Sequence, residues 1–229
     1  MKNNKINFGL TLVLGLFLLQ ACTNKTKEDN TMDNKNDSSA EQTFQKNEAM
    51  MKTMTDMMGK MKGMQMTGDF DLDFLNMMIA HHQGAIDMSH VELTSGRDAT
   101  MKKMAENIIA AQKAEIAAMQ AEVAKHEAGE KKETTKAHDH SGDHSHGEHN
   151  ELMDAMTTME TSMASMKMSG NTDKDFAMMM IMHHQSAIDM AKNELSHGSH
   201  LEVKEMAQKM IVDQNKEIGE FQNWLNSQK

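Results

Sequence analysis

One motif occurs twice in this chain, and its repetition limits the possible folds more than any other feature. Met-Met-Ile-Ala-His-His-Gln-Gly-Ala-Ile-Asp-Met, at Met77–Met88, recurs almost letter for letter at Met179–Met190. Each residue of the second copy lies 102 positions after its counterpart, and this offset holds without a gap from position 54 to position 115 of the first copy. The chain is therefore a tandem duplication, and we expect two copies of one structural unit.

On an α-helix the repeated motif separates into two faces when each residue is advanced by about 100°. An apolar side, predicted to face the core, holds Leu75, Ile79, Ile86 and Leu93. The other side is rich in sulfur and polar groups, and it holds Met77, His81, Met88 and Glu92. His82 follows Met78 by one turn and lies between the two faces. The second copy keeps the same arrangement, so the pattern predicts one helix per copy with a specialised face.

Thioether and imidazole side chains on one helical face favour a soft metal ion, above all Cu(I). The candidate ligands are Met77, Met78, His81, His82, Met88, Met179, Met180, His183, His184 and Met190. Two Met-x-Met pairs that precede Gly turns are further candidates, namely Met64, Met66, Met166 and Met168. Alternatively, the methionines fill core gaps and the histidine pairs bind carboxylates on a neighbouring helix. The chain has 29 methionines among 229 residues, which favours the metal interpretation.

The N-terminus is typical of a secretory signal peptide. Two lysines precede an apolar run at residues 8–19 that is too short to span a bilayer comfortably. The run leads into Leu-Gln-Ala-Cys, ending at Cys22, which resembles the lipobox of bacterial lipoproteins. The resemblance implies removal of residues 1–21, lipidation of Cys22 and anchoring to a membrane of the bacterial cell envelope, on its periplasmic or outer surface. The alternative is an unmodified thiol in an ordinary leader.

The rest of the chain divides by composition into four parts, one of which is a linker at residues 127–150. Residues 22–45 are polar and predict a disordered tether, and residues 46–126 and 151–229 are predicted to form the two helical repeats. Asp69 or Asp71 is expected to cap the helix that carries the first motif. Gln112, shared with Gln214, suggests a buried hydrogen bond or an outer-shell partner of a histidine. A repeat of this length is short for an independent core, so the repeats are expected to pack on each other or on another chain.

Residues 127–150 form a predicted mobile linker that ends in a histidine cluster. Its five histidines are candidates for loose binding of Cu(II), Zn or Ni, namely His138, His140, His144, His146 and His149. A solvated spacer that happens to chelate is the alternative. Four other histidines, which have no histidine at the equivalent position of the other repeat, are expected at the surface: His90, His126, His197 and His200.

Composition and missing motifs exclude several classes of function. The net charge is −10 and the chain has no basic patch interleaved with aromatics, which argues against nucleic acid as a partner. The single cysteine excludes an intramolecular disulfide. The central helices contain no Glu-x-x-His pair for a di-iron site, and no catalytic dyad, triad or nucleotide loop stands out. We therefore expect a binding protein and not an enzyme.

The pattern Asp-Phe-x-x-Met-Met-Ile-x-His-His-Gln-x-Ala-Ile-Asp-Met, followed by Gln-x-x-Glu-Ile, resembles the family known as domain of unknown function 305. The resemblance covers both repeats and implies an all-α fold of tandem helical repeats of the ferritin-like four-helix-bundle type. Some members are copper-binding proteins of the periplasm, so it also implies metal binding at the His-His and Met positions. We expect copper sequestration or hand-over, with a metal-accepting protein or a second copy of the chain in a homo-oligomer as the partner. A structural or protein-interaction bundle without a metal role is the alternative.

Overall fold

The computed structural model describes residues 35–133 and 145–228, and it describes side chains over 48–128 and 151–228. Over these residues the chain is all helical, which confirms the predicted all-α class. The helices are α1 (Lys35–Lys62), α2 (Phe70–Ser95), α3 (Ala99–Glu133), α4 (Ser145–Ser165), α5 (Thr172–His197) and α6 (Leu201–Ser227). None of these helices is both long enough and apolar enough to traverse a bilayer.

The sequence repeat is preserved in the helix boundaries. Helices α2 and α5 both contain 26 residues, and each is capped by the residue before it. The side chain of Asp69 accepts a hydrogen bond from the backbone N–H of Leu72, and Asn171 accepts one from that of Lys174. Asp69 is therefore the cap of the first motif helix, whereas Asp71 has another role. Both caps follow a glycine with positive φ, Gly68 at 93° and Gly170 at 81°, a conformation that glycine adopts without strain.

Three predicted boundaries differ from the structure. Helix α1 begins at Lys35 and not at residue 46, and α3 continues to Glu133 beyond the predicted end at residue 126. Both extensions are mostly polar, and only that of α3 is rich in the helix formers Glu and Lys. Adding residues to an existing helix costs far less than nucleating one. Helix α4 begins at Ser145, so His146 and His149 lie in a helix and not in a linker. The signal peptide, Cys22, His138, His140 and His144 lie outside the described residues.

Helices α2 and α5 form the centre of one compact unit. They pack on each other, α1 and α3 pack on α2, and α4 and α6 pack on α5. The expectation that the two repeats pack on each other is thus confirmed. The histidine motifs lie on this central pair, at the boundary between the repeats.

Methionine supplies much of the core. In α1, Met50, Met54, Met57 and Met61 are buried as their spacing predicts, and Met64 is half-buried at the helix end. A Cβ on Gly84 of α2 would lie 2.4 Å from the sulfur of Met57 in α1. The side chain of Met57 therefore fits against α2 only because residue 84 is glycine. An unbranched, flexible side chain suits such irregular gaps.

Two aspartates link the repeats by capping each other's helices. Asp71, in the first turn of α2, accepts hydrogen bonds from the backbone N–H groups of Ser199 and His200, at 2.9 Å each, ahead of α6. Asp173 in α5 accepts from the backbone N–H groups of Arg97 and Asp98, at 2.7 and 2.8 Å, ahead of α3. The backbone N–H groups at a helix start have no partner within the helix. Each repeat therefore completes a helix end of the other.

Candidate metal centre

Four imidazoles meet where α2 crosses α5. His81, His82, His183 and His184 all have 0 % relative exposure. The rings of His81 and His183 lie face to face across the boundary, with centroids 3.7 Å apart and planes tilted by 38°. His82 and His184 flank them, with ring centroids 6.4 Å and 5.9 Å from their neighbours in sequence. The two motifs thus build one shared cluster and not two remote sites.

The central two imidazoles are neutral. Burial lowers the pKa of both His81 and His183 well below the ordinary value, and the positive charge that neighbouring histidines would carry lowers it further. Nε2 of His183 lies 2.9 Å from the backbone oxygen of His81, and a carbonyl only accepts hydrogen bonds, so this nitrogen carries the proton. The lone pair of His183 is therefore on Nδ1, which is the state in which imidazole binds a metal ion.

The outer two imidazoles are each oriented by a glutamate of the adjoining helix. Nε2 of His82 lies 2.9 Å from Oε2 of Glu115 in α3, and Nε2 of His184 lies 2.6 Å from Oε2 of Glu217 in α6. The first contact is a well-directed hydrogen bond, whereas the second is close but poorly aligned. Carboxylates commonly hold the far nitrogen of metal-binding histidines in this way.

Glu115 is ionised. Burial acts to raise its pKa, but the hydrogen bond and charge interaction with His82, together with the charge of Lys209, outweigh burial and lower the pKa. The Nζ atom of Lys209 lies 3.6 Å from Oε1 of Glu115. An ionised carboxylate accepts the Nε2 proton of His82.

Several buried ring nitrogens of the cluster have no protein partner in the described part of the chain. Among the residues that the structure describes, no group forms a hydrogen bond with Nδ1 of His81, His82, His183 or His184, or with Nε2 of His81. Buried polar atoms are usually paired, because an unpaired one costs roughly 1–3 kcal/mol. Four buried imidazoles that each leave a nitrogen unpaired have the donor chemistry of a metal site.

The six candidate thioether ligands of the motifs surround this cluster in the core. Their relative exposures are 0 % or 1 %, for Met77, Met78, Met88, Met179, Met180 and Met190. The predicted core face is confirmed for Leu75 and Ile86, which are buried, whereas Ile79 and Leu93 are only half-buried. The expected contrast with the Met/His face is wrong, because that face is fully buried too. The reason is that α2 is enclosed by α1, α3 and α5. The Met-x-Met residues Met64, Met66, Met166 and Met168 are half-buried at the helix ends.

A groove lies between α3 and α6, beside the glutamate partners of the outer histidines. Its volume is about 410 Å³, and Glu115 and Glu217, the partners of His82 and His184, both line it. Met206 and Met210 add thioethers to its wall. Gln112 and Gln214 line it too, but the buried hydrogen bond expected from them is wrong for Gln214, whose amide pairs with no group in the described part of the chain. The groove therefore brings solvent to the glutamate partners of the outer histidines.

Two buried glutamates extend the motif face beyond the histidines. Burial, followed by the neighbouring carboxylate of Asp173, raises the pKa of Glu92 to about 8. Burial, followed by the charge of Asp71, raises the pKa of Glu194 to about 9. Both are therefore protonated at neutral pH and contribute no negative charge there. The repeat identifies Glu92 and Glu194 as equivalent residues, but their partners lie on the opposite repeat.

A second histidine cluster was missed by the sequence patterns. His126 in α3, His200 before α6 and Asp69 before α2 have ligand atoms that all lie within 4.8 Å of one another. The prediction that His126 is a surface residue is wrong, because its relative exposure is 9 %. Three residues that lie so far apart in sequence form no local pattern. The only available signal was that neither His126 nor His200 has a histidine at the equivalent position of the other repeat.

The fold and these sites define a helical protein with a duplicated, buried Met/His centre. The sequence pattern of the family described as "Domain of unknown function (DUF305)" matches residues 18–123 and 71–225, and the chain belongs to that family. No curated protein matches the chain significantly.

Several solved structures are similar to the chain. CopM in the Cu(I)-bound form is 28% identical, with a TM-score of 0.46, and the alignment covers 69% of this chain and 96% of that one. CopM in the Cu(II)-bound form is also 28% identical, with a TM-score of 0.46 and coverage of 69% and 97%. A DUF305 fragment from Deinococcus radiodurans is 21% identical, with a TM-score of 0.49 and coverage of 69% and 96%.

Proposed function

We propose that this protein binds copper as cargo, chiefly as Cu(I), at the Met/His centre on α2 and α5. The observation that carries the proposal is the set of buried, unpaired imidazole nitrogens of His81, His82, His183 and His184 within a methionine-lined core. Imidazole and thioether are ligands that Cu(I) prefers. These ligands are also neutral, so a monovalent ion is buried at a lower desolvation cost than a divalent one.

Sequestration or hand-over fits this centre better than catalysis. The proposed ligands need no covalent chemistry to take up or release the ion, and the groove lined by Met206 and Met210 offers thioethers along the route to a metal-accepting partner. We propose a location in the bacterial envelope, anchored through Cys22, because of the leader and the lipobox-like Leu-Gln-Ala-Cys. No catalytic turnover is proposed.

Replacement of two thioethers tests copper binding without emptying the core. Met88→Leu with Met190→Leu keeps volume and apolarity, so the fold should be retained, while the Cu(I) affinity should fall at least tenfold. The measurement is an anaerobic Cu(I) titration against a chromophoric competing chelator. The parent and all variants carry asparagine in place of the five histidines at 138–149, so that these residues do not contribute.

Met101→Leu is the matched control. Met101 is also fully buried, but the equivalent residue of the second repeat is Val203, so the repeat does not mark it as a ligand. It should leave the Cu(I) affinity unchanged. Equal losses in the Met88/Met190 and Met101 variants, or no loss in either, would contradict the copper proposal.

A structural role is the second candidate function, and the contacts of His82 and His184 favour it. Each ties α2 or α5 to a glutamate of the next helix. His81→Gln and His82→Gln separate the two functions, because His81 has no side-chain partner among the described residues whereas His82 has Glu115. Copper binding predicts weaker Cu(I) uptake in both variants. A purely structural role predicts a lower Tm for His82→Gln, with Cu(I) uptake unchanged in both.

A further inference from the structure

We propose that Asp69, His126 and His200 form a second metal site, distinct from the four-histidine centre, for a divalent transition-metal ion such as Zn²⁺ or Cu²⁺. The three residues come from the starts of α2 and α6 and from α3, so the site spans both repeats. A set of two imidazole nitrogens and one carboxylate oxygen suits borderline divalent ions better than Cu(I), because the carboxylate is a hard ligand. These three ligands include no thioether, which distinguishes the chemistry of the site from that of the central cluster.

The buried nitrogen of His126 points to a ligand. The residue is only 9 % exposed, and no group in the described residues forms a hydrogen bond with its Nε2 atom. The ring instead lies against that of His200, with centroids 4.0 Å apart and planes tilted by 52°. Two adjacent imidazoles that bring nitrogens together, one of them buried and unpaired, are poorly satisfied without an ion.

The imidazole of His200 is not used to cap the helix that it precedes. His200 is the N-cap of α6, where Ser, Thr, Asp and Asn are preferred, yet its imidazole makes no cap hydrogen bond. The backbone N–H of His200 is bound by Asp71 of the other repeat, which fixes the backbone at this position. The ring of His200 is therefore available to a metal ion, and it lies beside that of His126.

The surroundings can accommodate a cation and a small closing movement. Asp69 uses Oδ1 to cap α2, which leaves its second carboxylate oxygen for a metal ion. The carboxylate of Asp71 adds negative charge beside His200. The opposing basic group is Lys204, whose charge acts on Glu194. Ligands bound to one ion at about 2.0–2.1 Å are at most about 4.2 Å apart. Rotation of the exposed His200 ring provides the required approach.

The second repeat offers a natural replacement for one ligand. The residues equivalent to Asp69 and His126 are Asn171 and Gln228. Asn171 caps α5 as Asp69 caps α2, so Asp69→Asn substitutes a residue that the same fold already accepts. Gln228 is exposed and follows α6, so His126→Gln only approximates the bulk of the buried ring. His200→Asn places a preferred cap residue before α6. Each variant removes a ligand while preserving the helix start or approximating the bulk of the side chain.

The experiment is a Zn²⁺ titration of the whole chain by calorimetry, with the five histidines at 138–149 replaced by asparagine in every variant. We expect His126→Gln and His200→Asn each to weaken one Zn²⁺ site at least tenfold, and Asp69→Asn to weaken it less, since an amide oxygen is a poorer ligand. His90→Gln, which removes an exposed imidazole of α2, should change nothing. A Cu²⁺-loaded sample should give nitrogen couplings from two imidazoles by pulsed electron paramagnetic resonance.

The variant His81→Gln keeps this proposal separate from the copper proposal. It should retain the Zn²⁺ site in full, whatever happens to Cu(I) uptake. Zn²⁺ binding that is the same in parent, Asp69→Asn and His200→Asn would overturn the proposal, and so would a loss in His90→Gln as large as in His200→Asn. Because the two cap-preserving variants alone can overturn the proposal, the result does not depend on the folding of His126→Gln.

Discussion

At the scale of single residues, two glycines make room for two buried acids. A Cβ on Gly96 would lie 2.0 Å from Oε1 of Glu92, and one on Gly198 would lie 1.9 Å from Oε1 of Glu194. Both glycines have negative φ, so space and not backbone conformation demands the small residue. The carboxyl groups of the glutamates therefore pack directly on the glycine backbone.

Alanine at these glycines should destabilise the protein. Gly96→Ala and Gly198→Ala force a fully buried glutamate to move, and overpacking of this kind costs about 1–3 kcal/mol of unfolding free energy. The control is Gly219→Ala in α6, where an added Cβ meets nothing within 4 Å, and which should raise the unfolding free energy by about 0.5–1 kcal/mol. Urea denaturation measures the unfolding free energy of each variant. Equal effects at Gly96 and Gly219 would show that the contact with Glu92 is unimportant.

At the scale of secondary-structure elements, each junction between motif helix and following helix holds an acid pair. Glu92 lies beside Asp173, whose carboxylate binds the start of α3, and Glu194 lies beside Asp71, whose carboxylate binds the start of α6. The groups couple electrostatically, although neither glutamate makes a well-aligned hydrogen bond with any described residue. One member of each pair is protonated and the other is charged.

This arrangement predicts lower stability at alkaline pH. The pKa of Glu92 rises from 4.5 to about 8 and that of Glu194 from 4.5 to about 9, so the folded protein binds more protons than the unfolded chain across this range. Their stabilising effect is complete below pH 4.5 and is lost as pH rises towards 8 and 9.

Glutamine mimics the protonated acid and should remove this pH dependence. Glu92→Gln with Glu194→Gln should flatten the fall in Tm between pH 5.5 and pH 9, while the exposed Glu106→Gln should leave it unchanged. The measurement is the Tm of each variant between pH 5.5 and pH 9, from thermal unfolding followed by circular dichroism. If the double variant loses Tm with pH as steeply as the parent does, the two acids are not the cause.

Local patterns in the sequence predicted the elements far better than the contacts between them. The offset of 102 residues and the helical spacing of Met50, Met54, Met57 and Met61 can be read directly from the sequence, and these four methionines are buried as their spacing predicts. The pairing of Asp71 with Ser199 is different, since 128 residues separate them. The start of α1 at Lys35 was missed because a polar extension of a helix carries no periodic apolar signal.

At the scale of the whole molecule, the two repeats depend on each other. Their central helices pack together, His183 donates a hydrogen bond to the backbone of His81, and Asp71 and Asp173 cap helices of the opposite repeat. Residues 35–229 form one compact unit. Separation of the repeats would expose buried imidazoles and helix ends simultaneously, so partial unfolding is unfavourable.

The repeats are therefore expected to unfold together. Trp224, the only tryptophan, lies in α6 and reports on the second repeat by fluorescence, while far-ultraviolet circular dichroism reports on the helices of both. Urea midpoints from the two signals should coincide. Asp71→Asn with Asp173→Asn should lower both midpoints in parallel, whereas a fluorescence transition that precedes the loss of helix would show that the second repeat unfolds independently.

The reciprocal caps have the geometry of a symmetric dimer contained in one chain. Asp71 reaches the start of α6 as Asp173, 102 positions later, reaches the start of α3, so each partner gives and receives the same contact. Such self-complementary exchange is the mark of an isologous interface between identical subunits. Covalent fusion makes that association independent of protein concentration. It also lets the halves diverge, as Asp69 and His126 have from Asn171 and Gln228, a freedom that identical subunits do not have.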